Sequence, residues 1–229
     1  MRGYLTVTLL LVVVGDRDPA PLRSVLDDPV TVTVPDRPER AELNAALDRR
    51  GERRLVVAAD DAGLGAVLRR LLRRDELDST PVALLAAADS LVRARLGLPV
   101  ELAAAASVAV TGRPTRQGLV RDDHGGLTLG SARLLPWAGT SLGMRAYVDE
   151  HELVSGSAPE LTVTYGASQL TAAVELPRRL RRRRALSGRA ATVSCDEARL
   201  VVDGVAHERP QTRCSWWFEP DCWQVVLPG

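Results

Sequence analysis

Two pairs of polar residues that follow apolar runs are the first candidates for chemistry in this chain. Asp60 and Asp61 follow the run at 55–59, and Asp89 and Ser90 follow a second run at 81–85. Carboxylate oxygens bind Mg²⁺, and phosphoryl transfer needs that metal together with a cradle of donors around the phosphates. All four residues are therefore candidate nucleotide-binding residues, and Asp60 is also a candidate metal ligand.

The same residues are also ordinary helix starts. Asp60 or Asp61 could cap an amphipathic stretch at 64–72, and Asp89 and Ser90 precede a second helical stretch. Phosphate binding at such a turn needs glycine, because a Cβ crowds an anion that is held by bare backbone N–H groups. Both turns have Ala or Asp instead, so the sequence favours capping over nucleotide binding.

A candidate general base lies near the end of the chain. A base for a hydroxyl group must be a carboxylate or an imidazole, and Asp203 and Glu208 are the carboxylates in this segment. Asp203-Gly204 is also a typical signal for a tight hairpin turn. The turn is the favoured interpretation of Asp203, and Glu208 is a base only if its loop is shifted.

A run of arginines forms a strong local positive field in a chain whose net charge is only +1. Such a run can contact anionic lipid at about 1 kcal/mol per residue, or it can be a solvated surface segment. The small net charge argues against general nucleic-acid binding. Lysine is absent, which removes any lysine-based chemistry. The candidate membrane contacts are Arg178, Arg179, Arg181, Arg182, Arg183 and Arg184.

Half of the eight aromatic residues lie in one segment, Trp216-Trp217-Phe218 and Trp223. The residues Glu219-Pro220-Asp221 between them predict a hairpin turn, and the aromatic side chains could contact acyl chains, a protein partner or the core. The cysteines, Cys195, Cys214 and Cys222, are odd in number and have no metal spacing, which fits a reducing compartment. A Cys214–Cys222 disulfide across the predicted hairpin is conceivable.

The elements that must position these residues fall into two parts. Residues 1–100 alternate strand-like and helix-like runs, which is typical of a parallel sheet covered by helices. Residues 101–229 carry short β-like runs between turn signals, among them 161–165, 191–194 and 199–202. The sequence thus predicts an α/β N-terminal domain with a parallel sheet, followed by a β-rich, sandwich-like C-terminal domain. The apolar run at 5–14 is expected to be a buried first strand and not a signal peptide, so the cytoplasm is the expected compartment.

Residues 55–99 resemble the catalytic domain of diacylglycerol kinases and bacterial lipid kinases, within the NAD kinase-like superfamily. Ala58 to Ala62 align with that family's G-G-D-G-T motif, with only Asp60 retained, and Leu96-Gly97-Leu98-Pro99 aligns with its L-G-I-P motif. Val110 to Arg113 resembles the strand that opens the second domain. The family's catalytic glutamate would fall at Val205.

The resemblance implies a short lipid kinase homologue with a degenerate ATP site. We expect it to be inactive or weakly active, without a cofactor, and to bind lipid in the cleft between its domains, with peripheral contact to a membrane surface. One alternative is an active ATP-dependent kinase of diacylglycerol-type hydroxyls, which would use Mg-ATP, Asp60 for the metal and Asp203 or Glu208 as base. Another alternative is a regulatory or structural subunit that forms a homodimer or binds a protein partner. Nucleic acid is not an expected partner.

Overall fold

The computed structural model describes residues 8–175 and 183–229. The chain forms two compact units: the first comprises Met1–Gln117 and Asp221–Gly229, and the second comprises Gly118–Pro220. These bounds differ from the sequence-based boundary at residue 100, because the first unit extends further and also includes the last nine residues.

The first unit contains a parallel sheet of five strands in the order β15-β4-β3-β1-β2, to which β15 contributes its last residues. Its inner strands are apolar because both faces are covered; all six residues of β1 are buried. The strands are β1 Leu9–Val14, β2 Val30–Val34, β3 Arg54–Ala58 and β4 Pro81–Leu84. The helices are α1 Pro19–Val25, α2 Arg40–Asp48, α3 Asp61–Leu72, α4 Leu91–Arg95 and α5 Leu102–Thr111.

The second unit is built from antiparallel strands with alternating buried and exposed residues. Strand β13 is central to it, since it pairs with β7, β8, β14 and β15. The strands are β5 Arg113–Asp122, β6 Leu127–Thr128, β7 Ala132–Pro136, β8 Leu142–Val148, β9 His151–Ala158, β10 Leu161–Tyr165, β11 Leu170–Glu175, β12 Arg183–Gly188, β13 Ala190–Val202, β14 Val205–Ala206 and β15 Gln211–Leu227.

The predicted fold class is confirmed: parallel α/β structure comes first and β-rich structure follows. The predicted hairpin at 219–221 is wrong, because β15 continues through these residues, although Asp221 has a φ of +49°. Residues before this point pair with β13, and residues after it pair with β4. A turn signal does not reverse the chain where the residues on each side have separate strand partners.

Candidate functional site

Asp60 lies directly after β3 and is the N-cap of α3. Its Oδ1 accepts a hydrogen bond of 2.7 Å from the backbone N–H of Gly63. The capping interpretation of Asp60 is confirmed, and its carboxylate is favoured there by the positive end of the helix dipole. The side chain is exposed, and its use as a metal ligand or nucleotide contact stays a prediction.

Asp61 connects the two turns that carry the candidate nucleotide-binding residues. Its Oδ1 accepts a hydrogen bond from the hydroxyl of Ser90, and its Oδ2 accepts one of 2.8 Å from the N–H of Leu91. Ser90 is buried and is itself the N-cap of α4, with its Oγ accepting from Arg93 N–H at 3.0 Å. Asp61 and Ser90 thus satisfy each other and the first N–H groups of α4, whereas Asp89 points into solvent-exposed surroundings.

Side-chain oxygens of the protein therefore already accept some of the backbone N–H groups that a phosphate would use at these turns. Gly63, Leu91 and Arg93 are the residues whose N–H groups bond to Asp60, Asp61 and Ser90. Gly63 in α3 allows close packing, because a Cβ at this position would lie 2.9 Å from Cγ1 of Val14. Neither turn offers the free, glycine-lined N–H groups that a phosphate requires.

Asp203 forms the turn of the β13–β14 hairpin, which confirms the turn interpretation. It has a φ of +49°, followed by Gly204 at +86°, as a tight hairpin turn requires. Its carboxylate accepts backbone hydrogen bonds from Leu129 at 2.9 Å, Gly130 at 2.7 Å and Ser131 at 3.0 Å. The side chain therefore fixes one loop against another, and a role as a base would have to compete with these bonds.

Glu208 is exposed in the connection between β14 and β15, and Val205 is 37% exposed at the start of β14. Valine has no group that could accept a proton. Asp203 and Glu208 as catalytic residues stay predictions.

Only part of the predicted membrane contact lies within the described residues. Arg183 and Arg184 are exposed at the start of β12, and Arg184 donates a hydrogen bond of 3.0 Å to the carbonyl oxygen of Glu152. Arg178, Arg179, Arg181 and Arg182 lie outside the described residues.

The aromatic residues of β15 alternate between core and surface. Trp216, Phe218 and Trp223 are buried, whereas Trp217 is 38% exposed. The guanidinium of Arg121 lies 6.0 Å from the Trp217 ring. The core interpretation holds for three of these side chains, and Trp217 is the one available to a partner.

The three cysteines are free, which excludes the conceivable Cys214–Cys222 disulfide from this structure. Burial raises the pKa of Cys214 to about 12, with smaller contributions from Asp123, Cys195 and Asp122. Burial, followed by the charge of Asp196, raises the pKa of Cys195 to about 11. These thiols stay protonated at neutral pH and are poor nucleophiles.

His124 lies near one of these thiols, with its Nε2 4.0 Å from the Cys214 Sγ. Within residues 8–175 and 183–229, no three His, Cys, Asp or Glu side chains are grouped so that they could hold a metal ion. In the same residues, no helix is long and apolar enough to cross a membrane.

Solved structures of two kinds of kinase share this fold. A diacylglycerol kinase from Bacillus anthracis str. Sterne matches with a TM-score of 0.72 and 10% identity over 96% of each chain. An NAD kinase from Archaeoglobus fulgidus in complex with ATP matches with a TM-score of 0.60 and 12% identity, over 96% of this chain and 94% of that chain. A yeast NADH kinase complexed with NADH matches with a TM-score of 0.61 and 10% identity, over 98% of this chain and 84% of that chain.

The chain therefore has the NAD kinase and diacylglycerol kinase-like fold that the resemblance of residues 55–99 implied. No protein-family model and no curated protein matches it. At identities of 10–12%, the likeness establishes the fold, and activity must be argued from this chain's own residues.

Proposed function

We propose that this protein is a lipid-binding member of the diacylglycerol kinase-like fold that has lost nucleotide-dependent catalysis. The observation that carries the proposal is the bonding of Asp61, which stands where the aligned kinase motif has glycine. Its carboxylate bonds to Ser90 and Leu91, so the chain itself supplies an anion where a kinase would hold phosphate oxygens.

The negative charge at these turns also argues against nucleotide binding. Asp60 is also present in the aligned kinase motif, but Asp61 stands where that motif has glycine, so a phosphate brought to these turns would meet an additional negative charge. Phosphoryl transfer depends almost entirely on positioning and on neutralising phosphate charge. The additional carboxylate does the opposite.

The third support is the absence of a freely available base at the expected position. Val205 aligns with the catalytic glutamate of the family, and the neighbouring Asp203 carboxylate is bonded to three backbone N–H groups. Glu208 is exposed and lies three residues beyond Val205. A hydroxyl substrate would therefore lack the proton acceptor that the reaction needs.

Lipid is the proposed ligand class because the fold is shared with a diacylglycerol kinase and because the arginine run is suited to anionic lipid. Arg183 and Arg184 are the exposed members of the run within the described residues. A peripheral position at a membrane follows from this proposal.

Thermal unfolding with and without Mg-ATP tests the loss of nucleotide binding. A functional site would stabilise the protein by about 2.7 kcal/mol at an ATP concentration one hundred times its dissociation constant. We expect no shift of the thermal midpoint with Mg-ATP. A shift that rises with Mg-ATP concentration, and that Asp60→Asn removes, would contradict the proposal.

An active lipid kinase is the second candidate, because Asp60 is exposed and follows a parallel strand at the edge where such sheets bind ligands. In this version Asp60 binds Mg²⁺, and Asp203 or Glu208 is the base. Labelled ATP, Mg²⁺ and diacylglycerol in mixed vesicles provide the assay, with Asp60→Asn as the test variant and Asp75→Asn, at an exposed aspartate outside both turns, as the matched control. Transfer that only Asp60→Asn abolishes would establish this candidate, and absence of transfer would remove it.

A protein-binding role is the third candidate, since Trp217 is a large exposed aromatic residue. It predicts self-association or a stable complex that Trp217→Ser weakens. Size-exclusion chromatography over a range of concentrations would detect a homodimer, and a monomer at every concentration would remove that form of the candidate.

A further inference from the structure

Strand β2 forms one edge of the parallel sheet of the first unit. It pairs with β1 on one side, and within residues 8–175 and 183–229 no strand pairs with its other side. An unpaired edge presents a row of backbone N–H and C=O groups to which a further strand can bond. Proteins usually protect such an edge with charged side chains, and Val30–Val34 contains none. This edge is therefore available to another strand.

The backbone groups of two threonines face away from β1. The carbonyl oxygen of Val34 accepts a hydrogen bond of 2.9 Å from the N–H of Gly15, which follows β1, so the backbone groups of Val34 point toward β1. Successive residues of a strand alternate in this direction. Thr31 and Thr33 therefore direct their backbone N–H and C=O groups outward, and no hydrogen bond to these groups is present within the described residues.

The sequence around this edge is a palindrome. Residues 28–36 read D-P-V-T-V-T-V-P-D in either direction, with Val32 at the centre. Two copies of the strand that run antiparallel about Val32 therefore place every residue opposite one of the same type. Thr31 lies opposite the partner's Thr33, and threonine pairs are among the cross-strand pairs that stabilise sheets. The edge is thus complementary to itself.

This arrangement also matches the direction of the outward backbone groups. In an antiparallel pair, residues that exchange two N–H···O bonds alternate with residues that exchange none. The bonded pairs are Thr31 with the partner's Thr33 and Thr33 with the partner's Thr31. Val32 meets the partner's Val32 at the two-fold axis, where no backbone bond is required. All outward backbone groups of the two threonines are then satisfied.

Two prolines restrict the pairing to this register. Pro29 and Pro35 flank the strand and have no N–H, and the carbonyl oxygen of Pro29 already accepts the Thr31 hydroxyl at 3.0 Å. A shift of two residues in either direction places a threonine opposite a proline and loses hydrogen bonds. A shift of one residue places outward backbone groups opposite groups that face β1.

The aspartates at the ends of the palindrome lie outside the paired segment. Asp28 has a φ of +51°, which ends the extended backbone, and its Oδ1 accepts a hydrogen bond of 3.1 Å from Nε of Arg23. Asp36 lies against its own chain, with its Oδ1 where a Cβ on Gly15 would be. Pairing covers Val30, which is 38% exposed, with the partner's Val34. It therefore brings valines together within the strand and leaves the acidic residues beyond its ends.

We propose that the protein forms a homodimer in which two β2 edges pair antiparallel about Val32 and join the two parallel sheets into one. The occupant of the edge is a second copy of this chain, because the palindrome and the outward threonines are complementary to themselves. Such a contact closes after two copies and does not build a fibre. A strand of five residues gives a small interface, so the dimer dissociates on dilution. The proposal is independent of lipid binding.

The experiment is sedimentation equilibrium of the full chain over a range of concentrations. The first variant, T31E/T33E, places like charges opposite each other in both threonine pairs. The second variant, T31R/T33R, does the same with positive charges, and an equimolar mixture of the two variants places opposite charges in each pair. The matched control, T115E/T140E, introduces glutamates at two exposed threonines outside β2. W217S tests the other candidate surface for self-association.

We expect the wild type, the control and W217S to form dimers of equal stability. The dissociation constants of T31E/T33E and T31R/T33R should each rise at least about tenfold, because like charges directly opposite destabilise a strand pair. Their mixture should form a heterodimer. Amides of residues 31–33 should exchange more slowly with solvent at high than at low wild-type concentration. Circular dichroism and the thermal midpoint confirm that each variant is folded.

Other outcomes overturn the proposal in distinguishable ways. A wild type that stays monomeric up to about 1 mM removes the dimer altogether. A dimer that T31E/T33E and T31R/T33R form as tightly as the wild type has its interface elsewhere, and W217S identifies that interface if it alone dissociates the dimer. Folded variants that remain monomeric when they are mixed refute the pairing of Thr31 with the partner's Thr33. Oligomers larger than a dimer contradict the two-fold contact.

Discussion

At the scale of single residues, three of the candidate carboxylates form hydrogen bonds with backbone N–H groups of the protein itself. Asp60, Asp61 and Asp203 each accept backbone N–H groups at a helix start or a loop, and Asp61 also accepts the Ser90 hydroxyl. The sequence identified these positions as chemically capable because the residue types were right. It could not determine which partners they have, because Asp61 and Ser90 are 29 residues apart and meet only in the folded chain.

Replacement of Asp61 should destabilise the protein. Asp61→Ala leaves the buried Ser90 hydroxyl and the Leu91 N–H without their acceptor, so we expect the free energy of unfolding to fall by about 1–3 kcal/mol. Urea denaturation measures the change. Asp89→Ala, at an exposed carboxylate next to Ser90, is the control and should unfold like the wild type. Equal stability of both variants would argue against the role assigned to Asp61.

The buried thiols should make stability depend on alkaline pH. The folded pKa of Cys214, about 12, and that of Cys195, about 11, both exceed the ordinary thiol pKa of 9.0, so the folded state retains protons that the unfolded state loses. Their contribution to stability is complete below pH 9 and is lost as pH rises through the folded values. Urea midpoints should therefore fall between pH 9 and 11.

A Cys214→Ala variant isolates the contribution of the thiols to this pH dependence, because it removes the thiol whose pKa is raised more. Its urea midpoint should decline less steeply over the same pH range than that of the wild type. Cys222→Ala is the matched control. A wild-type midpoint that stays constant from pH 8 to 11 would contradict the raised pKa values.

At the scale of elements, apolar periodicity predicted the first unit better than the second. The runs at 55–59 and 161–165 correspond to β3 Arg54–Ala58 and β10 Leu161–Tyr165, because buried or alternating strands leave a clear pattern. Two short runs near 191–194 and 199–202 turned out to be one strand, β13, whose register shifts between Ser194 and Ala198. A bulge interrupts the alternation that the sequence reading depends on.

The same limitation concealed the row in which Ser194 pairs with Arg145 on one side and with Arg213 on the other. Its two arginines are 68 positions apart in the chain, and each looks like an ordinary surface residue until the strand register is known. Pairing of β8, β13 and β15 is what brings them to one row. Long-range register is the information that a single sequence lacks.

Arg54 should stabilise the C-terminal end of α5. Its Nη1 donates to the carbonyl oxygens of Ala109 and Val110, both at 2.9 Å, and of Gly112 at 3.3 Å, so one guanidinium satisfies the last turn of the helix. Burial lowers the pKa of Arg54, but it stays charged at neutral pH. We expect Arg54→Met to reduce the free energy of unfolding by about 1.5–3 kcal/mol.

Hydrogen exchange locates this effect within the molecule. In Arg54→Met, amides of the C-terminal turn of α5 should exchange faster than in the wild type, whereas Arg69→Met, at an exposed arginine of α3, should leave them unchanged. Unchanged exchange in Arg54→Met would show that water replaces the guanidinium without cost.

At the scale of the whole molecule, the chain leaves the first unit at Gln117 and re-enters it at Asp221. The final residues are structural there: Val225 and Val226 are fully buried, and Gln224 and Val225 pair in parallel with Pro81 and Val82. The strand that completes the first sheet therefore comes from the end of the chain. The sequence reading assigned it to the C-terminal domain because order along the chain does not reveal such a return.

Replacement of Trp223 tests whether the end of the chain stabilises the sheet of the first unit. It is 1% exposed and lies in the part of β15 that belongs to the first unit, so Trp223→Ala should leave a large cavity and cost about 3–5 kcal/mol. Hydrogen exchange should rise in β4, although that strand is about 140 residues earlier in the chain, because β15 is its pairing partner. Trp217→Ala, at the exposed tryptophan of the same strand, should leave β4 protected. Protection of β4 that survives Trp223→Ala would mean that the sheet of the first unit does not depend on the end of the chain.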